Sequence, residues 1–268
     1  MSIRSGRLVT LFRKEVLDLM RNRAALVPVV LVSLIALAMP FTVAIVVPRI
    51  THQSLSGETD LLRLSRVLDK TDGLSDAGRV QLLLFQQFLF FFLLMPITGA
   101  MSLAAHAIVG EKQARTLEPL LATPVSTFEL LVAKTLGALT PTLAISTAAL
   151  VLYFAGIGIT AEPGVAGAMI TARSLLLVLV VAPIAALVSL QFAVLVSSRV
   201  NDARTAQQFG VLIILPLTAL FVAQFSGVFW LTATMMGFIA AVLLVAWVLL
   251  AVVSVAIFDR ETILTRWR

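Results

Sequence analysis

Five stretches of this chain carry no charged residue: 24–48, 80–110, 135–161, 174–198 and 205–258. Each can cross a bilayer, whose hydrocarbon core needs about 20 helical residues. In hydrocarbon every backbone N–H and C=O must find its partner within the protein, so such runs are expected to be helices. The last run would make about 81 Å of helix at ~1.5 Å per residue, enough for two crossings. "QFSG" at Gln224–Gly227 is the natural turn between them. The expectation is an all-α membrane protein: one domain over 1–268 with six transmembrane helices near 24–48, 82–109, 127–159, 174–197, 208–226 and 228–258. Composition agrees, with 60% hydrophobic and 13% charged residues, against roughly 25% charged in soluble domains.

Six crossings put both termini on one side, and the Lys and Arg counts say which. Segments 1–23, 110–134, 198–207 and 259–268 hold 6, 3, 2 and 3 Lys or Arg, whereas the opposite loops 49–81 and 160–173 hold 5 and 1. Cytoplasmic loops retain the positive excess, so both termini are expected in the cytoplasm and 49–81 outside. The net charge of +6 is then membrane-surface electrostatics, and no nucleic-acid partner is needed to explain it. Residues 1–23 include "RLVTLFRKEVLDLMRNR", with Leu8, Leu11, Phe12, Val16, Leu19 and Met20 near helical spacing and Arg13, Lys14, Asp18 and Arg21 opposite. Such a helix lies in the interface plane, apolar face in the acyl boundary and bases on the headgroups. There is no cysteine, which excludes disulfides and thiolate metal sites.

One segment interrupts the apolar pattern: "VGEKQARTLEPLLATPVSTFELLVAK", Val109–Lys134. Glu111 and Arg115 are four apart and Glu118 three further on, so a helix from Gly110 would align them on one face. Pro119 disfavours helix at Glu118. Ser126 and Glu129 then have capping-box spacing, and Val125 and Leu130 that of a hydrophobic staple, which together set the entry angle of the third span. Lys134, two turns inside that span, is expected to snorkel back to the interface. Residues 110–126 thus read as a stiff cytosolic elbow between spans two and three.

The order of residues in this elbow resembles the first cytoplasmic loop of the permease subunits of type-2 ABC transporters: an acid, Arg/Gly-Thr-Leu-Glu, two aliphatics, Thr/Ser-Pro, Ser, and Glu-Leu-Leu before Gly/Ala-Lys. Glu111, Arg115, Thr116, Leu117, Glu118, Leu120, Leu121, Thr123, Pro124, Ser126, Glu129, Leu130, Leu131 and Lys134 fit in order. "FRKEVLDLMRNRAALV" looks like the amino-terminal segment of the same family, and "FDRETILTRW" is similar to the tails of some of its sodium- or drug-exporter-like members. An external loop between spans one and two, not five and six, also favours that branch. The resemblance implies a multi-pass permease of the cytoplasmic membrane in an ATP-driven exporter. Its partners would be a cytosolic ABC ATPase that binds ATP and Mg, a second permease chain, identical or not, and the bilayer. It also implies that Glu111, Arg115, Thr116, Glu118, Leu121, Thr123 and Pro124 couple to the ATPase. No G-x-x-x-x-G-K-[ST] occurs in the chain, so it lacks the phosphate-cradling loop and is not expected to be an enzyme by itself or to bind a cofactor.

Other chemistries fit less well. "DKTDGLSDAGR" at 69–79 partly resembles the aspartate motif of headgroup transferases, but Asp76-Ala77 stands where Ala-Arg belongs and the later aspartates are missing. No metal site is expected, since His52 and His106 fall on opposite sides of the predicted membrane. Ion-coupled transport would want ionisable residues near the midplane, where the spans have none. A passive channel, or a structural anchor for an ATPase, remains the alternative. Gln86, Gln87, Gln191 and Gln224 are the conspicuous amides in the spans, open to two roles: inter-helix hydrogen bonds or a substrate path. Pro40, Pro96, Pro141, Pro183 and Pro216 are candidate kinks. The charge count predicts that a cysteine replacing Ser56 reacts with an impermeant thiol reagent from the side opposite the termini. Reaction from the cytosolic side alone would overturn the topology.

Overall fold

The computed structural model describes residues 5–52, 59–66, 68, 71–113, 127–200, 202–209, 211–227 and 230–257, and every regular element among them is helical. Helix α1 (Ser5–Arg21) is the amphipathic amino-terminal segment. Asn22 separates it from α2 (Arg23–Phe41) and caps the latter, its side chain accepting from the Ala25 N–H at 3.2 Å. A π-helical segment (Thr42–Val46) and α3 (Val47–Thr51) continue α2 into a first span, Arg23–Thr51. Helix α4 (Thr59–Ser65) lies in the predicted external loop.

The second span is α5 (Asp76–Leu89), a 3₁₀ turn (Phe90–Leu93) and α6 (Leu94–Gln113). It begins earlier than expected, at Asp76 and not near 82, because the Ser75 side chain caps it by accepting from Gly78 N–H at 3.0 Å. Asp76 adds negative charge at the positive end of the helix dipole. The resulting span, Asp76–Glu111, has 36 residues, about 54 Å of helix, so its first turns extend beyond the hydrocarbon. Helix α7 (Thr127–Thr160) is the third span. Then follow α8 (Val165–Ala168) and a fourth span built of α9 (Ala172–Leu176), a π-helical segment (Leu177–Val181) and α10 (Ala182–Arg199).

Helix α11 (Ala203–Gln208) leads toward α12 (Val211–Phe225), and α13 (Ala233–Ile257) is the last helix among the described residues. Among the described residues, five helices are long and apolar enough to cross a membrane. The expected fifth crossing, 208–226, corresponds to α12, whose 15 residues reach about 22 Å, short of the ~30 Å core. A turn does occur at the predicted "QFSG". Gly227 adopts φ +72° there, a left-handed conformation that glycine takes at no steric cost.

The second span is the centre of the molecule, with every residue from Val80 to Phe90 buried. Around it, Phe41, Phe85, Phe92 and Tyr153 form an aromatic nucleus, in which Phe92 and Tyr153 lie 4.6 Å apart. Tyr153 satisfies its hydroxyl by donating to the Phe85 carbonyl at 2.7 Å. Nearer the termini, Ala25, Val29, Leu103, Ala104 and Leu190 pack in a second cluster of mostly small side chains. The last helices present most of their apolar side chains outward, as expected of surfaces solvated by lipid.

Three of the expected proline kinks adjoin departures from α-helix. Pro40 precedes the first π segment, Pro183 follows the second, and Pro96 follows the 3₁₀ turn. Proline lacks the N–H and its ring crowds the carbonyl four residues back, so the hydrogen-bond register changes nearby. Phe92, Pro96, Ser146, Leu177 and Pro183 line an apolar cavity of about 180 Å³ among spans two, three and four.

Buried amides cross-link this apolar packing. Gln87 Nε2 donates to the Gln224 carbonyl at 2.9 Å, and Gln224 Nε2 donates to Gln87 Oε1 at 2.6 Å, tying α5 to α12. Gln87→Leu and Gln224→Leu, singly and together, form a double-mutant cycle for unfolding in detergent. The expected coupling energy is about 0.6 kcal/mol, with ~1.7 as an upper bound for such bonds. Additive effects would show that the pair is incidental.

Candidate functional site

Three segments far apart in sequence meet at the end of the helical bundle where the termini-side loops gather. Helix α1 brings Lys14 and Glu15, the last turn of α6 brings Glu111, and the early turns of α7 bring Lys134. Helical phase explains the buried acid: Glu15 stands three residues after Phe12 and four before Leu19, so it falls on the apolar face of α1. Glu15 and Leu19 are buried, whereas Val9, Leu17 and Met20 are exposed. The close approach is made at Gly137, where an added Cβ would stand 2.6 Å from the Glu15 Cβ. Only a residue without a side chain lets α1 lie this near α7.

Lys134 is the hub. Its side chain is 3% exposed, so it does not snorkel to the interface but turns inward, toward a carboxylate supplied by α1. Its ammonium donates to the Ala107 carbonyl at 3.0 Å and to Glu15 Oε1 at 3.3 Å, and forms an ion pair with Glu111 Oε2 at 2.7 Å. A lysine ammonium carries three N–H donors, and here it is met by three oxygens, two through hydrogen bonds and one through an ion pair. Lys14 closes the ring, at 2.7 Å from Glu111 Oε1 and 3.3 Å from Glu15 Oε1, with Asp18 at 3.6 Å. Two bases and two acids alternate, and the cluster is neutral apart from Asp18. Partial burial disfavours the charge on Lys14. The hydrogen bond to Glu111 and the negative charges of Glu15 and Glu111 outweigh it and hold the lysine pKa above its ordinary value.

Glu111 therefore faces into the protein, its side chain 12% exposed. The other expected coupling residues, Arg115, Thr116, Glu118, Leu121, Thr123 and Pro124, lie outside the described residues, as do the predicted cap Ser126 and staple residue Val125. The helix expected after that cap does begin at Thr127, and Glu129 and Leu130 in its first turns are buried. The elbow is thus bracketed by the ionic cluster, Glu111 on one side and Lys134 on the other. Lys14 and Glu15 are the members that sequence reasoning missed. The available signal was an acid on the apolar face of an amphipathic helix together with a lysine inside an apolar run.

A second polar thread reaches the same end. Asp202 caps α11, its carboxylate accepting from the Thr205 N–H at 3.1 Å. Gln207 then donates to Ser102 Oγ at 3.2 Å, and Ser102 Oγ donates to the Ala25 carbonyl at 2.9 Å, joining α11, α6 and α2. His106 donates from Nδ1 to the Ser102 carbonyl at 2.9 Å. No group of three or more His, Cys, Asp or Glu that could hold a metal ion occurs among the described residues.

The four amides do not converge on one site. Gln87 and Gln224 are bonded to each other, Gln86 Oε1 accepts from Arg173 at 3.4 Å, and Gln191 is buried on α10. Arg173 also stacks on Trp230, with 4.0 Å from its guanidinium carbon to the ring centre. Gln87 and Gln224 thus form hydrogen bonds between helices.

The sequence model of a family described as "ABC-2 family transporter protein" matches residues 9–241. That stretch takes in Lys14, Glu15, Glu111 and Lys134 together with the elbow. No curated protein matches the chain.

Removing one partner from a buried ion pair leaves an uncompensated charge, at a cost of about 3–5 kcal/mol. Lys134→Met is expected to destabilise the protein by this order in thermal unfolding. The double variant Glu15→Met/Lys134→Met should recover most of the loss, because Glu111 keeps Lys14. A Lys134→Met protein that melts like the unaltered one would show that the cluster holds nothing together.

Proposed function

The chain belongs to the ABC-2 transporter family, and on that premise we propose that it is the permease subunit of an ATP-driven exporter powered by a separate cytosolic ATPase. Membership supports an ABC-transporter permease directly. The absence of a phosphate-cradling loop in the sequence supports a separate source of energy. In this reading α12 completes a six-span half, locally thinning the bilayer to match its length, and both termini are cytoplasmic. Two such halves, identical or not, work with two ATPases. The sodium- or drug-exporter-like branch is favoured by the long loop between spans one and two.

The ionic cluster around the elbow is the observation that carries the mechanism. An ATPase that closes on ATP moves a permease only by pressing on a part too stiff to yield. Residues 112–126 are flanked by Glu111 and by Lys134 beyond them, which form an ion pair at 2.7 Å, and Glu15 fastens α1 to the same lysine. A push on the elbow is then delivered to α1 and spans two and three together, since close-packed elements transmit displacement without absorbing it. Glu111 acts by anchoring the elbow, and Arg115 and Glu118 meet the ATPase.

Glu118→Lys should therefore insert and fold normally but lose ATP-dependent transport. If the contact is a buried, hydrogen-bonded pair, truncation there should cost about 2–5 kcal/mol of assembly. A solvated turn predicts changes within about ±0.5 kcal/mol. The measurements are co-purification of the ATPase and ATP-dependent flux, with Glu58→Lys as control. Full assembly and flux in both Glu118→Lys and Arg115→Glu would falsify the coupling role and favour the channel or anchor reading.

A further inference from the structure

At the end of the bundle opposite the ionic cluster, a cavity of about 400 Å³ opens between the first, second and third spans. Its size is that of a ligand site. Three of its lining residues mark where apolar runs stop or begin: Arg49 is the first charge after 24–48, Gln81 stands at the start of 80–110, and Glu162 is the first charge after 135–161. The cavity therefore sits at the boundary between hydrocarbon and water. Ala44, Ile45 and Pro48 supply an apolar wall.

The polar groups here are held apart from one another. Arg49 and Glu162 carry opposite charges and are both exposed, and neither has an ion-pair partner among the described residues. Gln81 is only 9% exposed, and its Oε1 accepts from the Glu162 N–H at 2.8 Å. A backbone N–H can only donate, so the bond fixes which prong of the amide is oxygen. The Nε2 prong has no acceptor among the described residues. The cavity thus offers a guanidinium and a fixed amide donor for an anionic group, and a carboxylate for a cationic one.

We infer that this cavity binds the headgroup of a zwitterionic phospholipid of the phosphoethanolamine type. The phosphate is received by Arg49 and Gln81 Nε2, and the ammonium by Glu162, with the glycerol end along the apolar wall. A single charge would leave one of the two protein charges unanswered, whereas a zwitterion answers both. The membrane is the source because the cavity lies at the depth of its headgroups. The inference rests on the membrane-crossing reading of the chain and is independent of ATP coupling.

Native mass spectrometry of the full delipidated chain in detergent tests it, with phosphatidylethanolamine and phosphatidylglycerol of matched acyl chains added in turn. One phosphatidylethanolamine per chain should be retained about tenfold more tightly than phosphatidylglycerol. Glu162→Gln should invert that preference by removing the ammonium site, and Glu162→Asp should keep it. Arg49→Gln should weaken both lipids. These are exposed positions, so unaltered melting of each variant serves as the folding control. Equal retention of the two lipids, or an unchanged preference in Glu162→Gln, would overturn the proposal. Displacement of the lipid by equimolar water-soluble glycerophosphoethanolamine would overturn the membrane source and assign the site to a free zwitterion.

Discussion

A lysine ammonium buried at the end of a membrane protein needs partners for its charge, and Lys134 finds three oxygens in two other segments, Glu15 on α1 and Ala107 and Glu111 on α6. This requirement orders the termini-side end of the structure. Glu15 must be buried on α1, so α1 must lie against α7. Gly137 must lack a side chain for the approach to be made, and α6 must end where Glu111 reaches the same nitrogen. A hydrophobic contact at this place would tolerate sliding by a residue or more. A ring of four alternating charges does not, because any shift leaves a charge unpaired in a poorly solvated place.

Elsewhere the solvent sets the terms. Lipid is as apolar as leucine, so burying apolar surface gives little drive for one span to find another. Cohesion comes from close fit and from the few polar groups that pair. The Tyr153 hydroxyl on the Phe85 carbonyl, the Gln87–Gln224 amides and the Ser102–Ala25 bond each join different spans. Departures from α-helix fall in the first, second and fourth spans, and each adjoins a proline. The buried ion pairs are concentrated at the termini-side end, and the departures from α-helix lie away from it.

Most of the span pattern was legible because charge is so expensive in hydrocarbon that its absence marks the crossings directly. Boundaries drifted where capping outweighed hydropathy: Ser75 and Asp76 start a helix several residues before the apolar run begins. The turn at Gly227 was read from the sequence, but the shortness of α12 was not, since 205–258 carries no charge and where α12 begins depends on how α11 docks beside His106. Snorkelling of Lys134 was the natural reading of a lone lysine in a lone helix. It failed because the partner that turns the side chain inward comes from a segment more than a hundred residues away. Glu15 was hidden for the same reason, as an acid on an apolar face looks like noise until something cationic is packed against it. The chemistry of the elbow remains a matter of sequence from Arg115 to Ser126.

The separation of Glu15 from Lys134 by 119 residues also has a consequence for biogenesis. At synthesis rates of about 5–20 residues per second, the acid emerges roughly 6–24 s before the lysine that will hold it. During that interval α1 lacks the third span, and of its partners in the cluster only Glu111 has been made. Helix α1 is thus fastened to α7 only after the third span has been made, and its docking there reports that this span has arrived in the correct orientation.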